Sequence, residues 1–145
     1  MWSLIIFTTL EENKAIVRRG YEALGRGDWS ALKAFVSPNF IDHNPTQGQP
    51  PGVDGFLQSR KSLMTALTDF KSTIEDIVAE GDEVAVRLTN SCLHSGTVFG
   101  VPPTNKRVTY TETTIWRVVN GRVTDRWCNS DTLGLLQQLG AVALK

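Results

Sequence analysis

The sequence predicts an α+β fold, and three observations carry that expectation. Apolar residues recur at helical spacing up to Leu67, the period shortens to two residues between Phe70 and Asp131, and the two regimes do not alternate. Helices that come first and a strand meander that follows must bury their apolar faces against each other.

The first helix opens at Thr9, three residues before Glu12, the spacing of a capping box. Val17, Tyr21 and Leu24 continue it, and Gly25 and Gly27 close it. Asp28 is placed to cap a second helix carrying Trp29, Leu32, Phe35 and Val36, stopped by Pro38, with a short strand near Phe40. Pro45, Gly48, Pro50, Pro51 and Gly52 mark residues 44–55 as a loop. A third helix then sets Phe56, Arg60, Leu63 and Leu67 on one stripe, beside Leu57 and Met64. Strands are expected at 70–80, 83–94, 107–119 and 122–131. Gly81 with Asp82 and Asn120 with Gly121 form the tight turns, the latter suited to a type I′ hairpin. A loop with Gly100, Pro102, Pro103 and Asn105 joins the middle strands, and a short helix at 132–139 ends at Gly140.

The length of 145 residues suits one domain, 1–145, with 1–8 as an N-terminal extension covering apolar surface. Fifteen basic and fifteen acidic residues cancel, and the charge clusters are short and mixed, which excludes a nucleic-acid partner. The apolar start, Met1 to Phe7, has no basic flank or cleavage site, and a membrane span of about 20 apolar residues is lacking. Cys92 and Cys128 stand in expected strands with no CxxC and read as buried free thiols, which suits a cytoplasmic protein.

The last strand holds the candidate chemistry. Strict alternation puts Val123, Asp125, Trp127, Asn129 and Asp131 on one face, and the bulk of Trp127 marks that face as interior. A desolvated Asp131 carboxylate beside an aromatic wall would suit a general base; the same residue is also placed to cap the helix that starts at Thr132. His94 shares a strand face with Val84, Val86, Leu88, Asn90 and Cys92, and either donates to a substrate oxygen or is a hydrogen-bonded structural residue. His43 belongs to Asp42-His43-Asn44-Pro45, where turn chemistry accounts for it equally well. Tyr110, Glu112, Thr114 and Trp116 share one face, with Glu112 expected at the solvated rim. Two histidines without shared spacing exclude a zinc site, and no GxSxG, GxxxxGK[ST] or GxGxxG motif occurs, so no metal and no cofactor is implied.

Several segments resemble the SnoaL-like polyketide cyclases of the nuclear transport factor 2-like superfamily. The opening helix from Asn13 to Arg19, Phe40-Ile41-Asp42-His43-Asn44-Pro45, His94-Ser95-Gly96 with Phe99 to Thr104, and Trp127 through Asp131 to Gly140 carry the likeness. The resemblance implies a cone-shaped, barrel-like curved antiparallel sheet with N-terminal helices packed over it, enclosing a pocket. It also implies cofactor-independent proton abstraction from a small hydrophobic carbonyl compound, followed by intramolecular aldol-type ring closure. Asp131 would be the base, with His94 and Asn129 steadying oxyanion charge and Trp127, Tyr110 and Trp116 forming the wall; His43 and Glu112 complete the candidate binding set. Relatives often carry an acid after the tryptophan, where this chain has Cys128. The alternatives on the same fold are a non-catalytic ligand-binding domain and an isomerase-like or epoxide-hydrolase-like enzyme, for which Arg87 or Arg117 would supply the arginine. The outward residues Thr109, Thr111, Thr113, Ile115 and Arg117 form a β-branched face that predicts a homodimer joined through the sheets.

Overall fold

The computed structural model describes residues 8–143; the N-terminal extension lies outside the described residues except for Thr8. Helix α1 runs Leu10–Gly25, α2 Trp29–Phe35, strand β1 Val36–Asp42, α3 Gly52–Ala66, β2 Leu67–Glu80, β3 Glu83–His94, β4 Arg107–Val119, β5 Arg122–Ser130 and α4 Thr132–Gln138. Thr9 and Glu12 form the expected reciprocal capping box, and Asp28 caps α2 by accepting from the Ala31 amide. The second helix ends at Phe35, before Pro38, which is accommodated in β1 at the sheet edge. Among the described residues no helix is long and apolar enough to cross a membrane.

The five strands lie in the order β1-β5-β4-β3-β2, a curled sheet that does not close. Strands β2 to β5 pair antiparallel as a meander; β1 pairs parallel to β5, so the sheet is mixed. The larger core cluster packs Val17 and Leu32 of the helices and Phe56 of α3 against Val84, Val86, Leu88, Trp116 and Val118 of the sheet. A second cluster, around Leu67, Cys92, Val108 and Leu135, closes the other end.

Strand β3 keeps strict alternation, with Val84, Val86, Leu88, Asn90, Cys92 and His94 all buried. In β5 the expected alternation fails. Val118 pairs Val123, but Arg117 pairs Asp125, so Thr124 is an extra residue in a β-bulge. One extra residue inverts the faces of everything beyond it. Trp116 therefore faces Arg126, Thr114 faces Cys128 and Glu112 faces Ser130 on the inner side. Trp127 pairs Ile115, and Asn129 pairs Thr113, on the outer side. The interior placement expected for Trp127 is thus corrected: Arg126 and Cys128 are buried, and Trp127 is only half-buried.

Candidate functional site

Helix α3, the inner faces of β4 and β5, and the loops 44–50 and 97–100 enclose a cavity of about 950 Å³, a size suited to a small organic ligand. The glycine at position 55 lets the first loop close over α3, because a Cβ there would collide with the Pro50 carbonyl. Two arginines, Arg60 from α3 and Arg126 from β5, line the cavity with Glu112, Tyr110, Cys128 and Ser130.

Glu112 is the cavity carboxylate, its side chain 11% exposed, so it is enclosed rather than at a solvated rim. Thr114 Oγ1 donates to its Oε1 at 3.0 Å, and Ser130 Oγ donates to its Oε2 at 3.0 Å. Asn90 Nδ2 donates more weakly at 3.5 Å, and Arg126 Nη2 stands 3.9 Å away. Behind the wall, Asp42 accepts from Arg126 Nη1 through both oxygens, at 3.1 and 3.2 Å. Burial opposes the charge on Arg126, but Cys128, Asp42 and Glu112 outweigh it and raise its pKa. The result is a carboxylate–guanidinium–carboxylate row in which only Glu112 and Arg126 reach the cavity. Burial first, and then the Glu112 charge, push the Tyr110 hydroxyl upward, and burial does the same to the Cys128 thiol. Both hydroxyl and thiol are therefore proton-bearing groups at neutral pH.

The other sequence candidates are spread over several places. Tyr110 and Glu112 line the cavity from the inner face of β4, and Asn129, exposed and paired on the outer side of β5, borders it at the strand end. Asp131 is exposed and caps α4, its Oδ1 accepting from the Gly134 amide at 2.9 Å; its neighbours Ser130 and Thr132 line the cavity, while it does not. His94 is fully buried at the far end of β3, its Nδ1 accepting from the Thr104 amide at 3.2 Å, while its Nε2 has no hydrogen-bond partner among the described residues. Trp116 is a core residue whose indole N–H donates to the Tyr21 hydroxyl at 3.1 Å. His43 and Trp127 stack on the outer side of the sheet, ring centroids 4.5 Å apart, and His43 Nε2 meets Asp125 Oδ2 at 2.8 Å. Arg87 and Arg117, the arginines considered for strained-ring hydrolysis, are instead partnered by Asp76 and by Asp82, Glu83 and Asp125 away from the cavity.

Among the charged residues of the cavity, Arg60 and Arg126 are the ones that sequence reasoning did not bring to the site. For Arg60 a signal existed: it is the charged member of an otherwise apolar helical stripe. For Arg126 the signal was hidden by the bulge, since regular pairing from the Asn120-Gly121 turn would set Trp116 opposite Asp125.

Comparison with known proteins agrees with this architecture. The sequence profile of the SnoaL-like polyketide cyclases matches residues 14–139. The chain is 28% identical over 132 residues to aklanonic acid methyl ester cyclase DnrD of Streptomyces peucetius, covering 86% of this chain and 88% of that protein. Among solved structures, TsrD from Streptomyces laurentii superimposes with a TM-score of 0.85 at 25% identity, covering 94% of this chain and all of that one. IdmH from Streptomyces antibioticus, a candidate polyketide cyclase, gives 0.77 at 32% identity, covering 88% and 98%.

Proposed function

Because this chain belongs to the SnoaL-like polyketide cyclase family, we propose that it closes a ring in a polyketide-like carbonyl substrate held in the α3–β4–β5 cavity. The observation that carries this reading is the Glu112 carboxylate beside the Arg126 guanidinium on the cavity wall. In this scheme Glu112 removes a proton from the carbon next to a carbonyl, and the resulting enolate attacks a second carbonyl of the same molecule. One carbon–carbon bond forms, the attacked carbonyl becomes an alkoxide, and the proton held on Glu112 returns to it. Product and substrate are isomers, and no co-reactant is consumed. Arg126 and the Tyr110 hydroxyl steady the negative oxygen as it develops, a role in which fixed charges and dipoles act strongly. Asn129 helps to orient the substrate, and Asp131 holds the rim by capping α4, so that Ser130 and Thr132 keep their places.

Hydrolysis of a strained ring would also use a carboxylate–arginine–carboxylate row, but it needs both acids at the substrate. Asp42 stands behind Arg126 and off the cavity wall, which favours ring closure. The β-branched outer face of β4 supports a homodimer joined through the sheets, and two buried free cysteines support a reducing, cytoplasmic setting.

The test is turnover of an aromatic polyketide with two reacting carbonyls by Glu112→Gln and Asp131→Asn. The first should lose ~10²-fold or more, the usual scale for a general base, with its melting temperature little changed. The second should keep most of its turnover, because Asn caps a helix about as well as Asp. The opposite pattern would return the base to Asp131.

A further inference from the structure

The two arginines of the cavity are not equivalent. Arg126 has Asp42 and Glu112 beside it, whereas Arg60 forms no ion pair among the described residues. Its guanidinium Nη2 donates to the Thr46 hydroxyl at 3.3 Å, and its Nε is buried with no hydrogen-bond partner among the described residues. The two guanidiniums also crowd the same ring: each carbon Cζ stands 5.6 Å from the centroid of Phe56. Burial, and then the like charge of Arg126, weaken Arg60's hold on its proton, while Glu112 acts in the opposite sense but already serves Arg126. A half-buried cation with no ion pair of its own among the described residues, next to a second cation that already holds Glu112, is a costly arrangement that an incoming anion relieves.

We propose that the substrate carries a carboxylate, and that this group sits against Arg60 while the reacting carbonyls face Glu112 and Arg126. This rests on the ring-closing reading of the cavity and adds to it the class of substrate: a carbonyl-bearing acid rather than a neutral ester. The apolar part of such a molecule would lie along Leu63, Ala66 and Leu135, which line the same cavity. Arg60 would then be a binding and specificity residue, and Glu112 would remain the base.

The experiment is a calorimetric titration of the intact protein with anthraquinone-2-carboxylate and with its methyl ester, two probes that share their rings and differ in charge. The wild type should bind the acid roughly tenfold more tightly than the ester, the worth of one charge-assisted contact. Arg60→Met should bring the ratio close to one and leave ester affinity in place; Arg60→Lys, which keeps the charge, should retain part of the preference. Arg87→Met, which removes a positive charge away from the cavity, should leave the ratio unchanged. Equal binding of acid and ester by the wild type, or a preference that survives in Arg60→Met, would overturn the carboxylate assignment and leave the ring-closing reading standing. Binding of neither probe would count against the cavity as a site for ring systems, and the carboxylate assignment would fall with it.

Discussion

At the residue scale, the two aspartates of the last strand region divide the labour between stability and shape. Asp125 is half-buried; burial alone would raise its pKa, but bonds from His43 and Thr124, with the charge of Arg117, outweigh burial and hold it below the ordinary carboxylate value. A depressed folded-state pKa means that the native state binds the proton less readily than the unfolded chain. The associated stability is therefore complete above the unfolded value near 4 and is lost as pH falls through the lower folded value. Asp125→Asn should accordingly cost about 1 kcal/mol at pH 7, with the gap to wild type narrowing toward pH 3, as read from urea melts at a series of pH values. Asp131→Ala should cost a similar ~1 kcal/mol through the lost cap. Both roles follow from which way a side chain points. That was legible for Asp131 as a cap, because Asp before a helix start is a local signal. It was not legible for Asp125, whose partner His43 lies 82 positions earlier.

At the element scale, most of the architecture was written in periodicity. The capping box, the Asp28 cap, the Asn120-Gly121 turn and the bounds of β3 and β4 depend on neighbours in sequence, and all of them appear as expected. The parallel seat of β1 beside β5 depends on a distant pairing and left no local mark. The bulge in β5 was equally silent. Bulges announce themselves when glycine supplies a positive φ, but Thr124 is a β-branched residue at home in a regular strand. The bulge decides whether a tryptophan or an arginine faces the ligand. Deleting Thr124 removes the extra residue but leaves Asp125 opposite Arg117 and Arg126 opposite Trp116, so Arg126 and Cys128 should stay inward. The expected outcome is retained anthraquinone binding, and Thr124→Ser should stay within about 0.5 kcal/mol of wild type. Thermal melts with and without ligand would check both.

At the scale of the whole molecule, the two faces of the sheet differ. Its inner face carries the cavity, while its outer face presents Thr109, Thr111, Thr113 and Ile115, with Trp127 and His43 stacked beside them. Covering that outer face with a second copy accounts for an aromatic pair and an isoleucine that solvent otherwise touches. Light scattering at micromolar concentration should give twice the 16.0 kDa of one chain, and Ile115→Lys should shift the mass toward the monomer. A monomer mass for the wild type would show the face to be solvated.

The pairing of Asp42 with Arg126 has a consequence in time as well as in space. The two residues are separated by 84 positions, and β1 finds its sheet partner only in β5, so the wall of the cavity is joined from opposite ends of the chain. During synthesis, the ribosome releases Asp42 long before the guanidinium that neutralises it exists, and α1, α2 and α3 must wait with an unfinished sheet edge. Contacts of such long sequence separation close late, because the loop between them must be ordered first. The hairpins β2–β3 and β3–β4 can form early from local turns, but a ligand-competent cavity is among the last things this chain acquires as it folds.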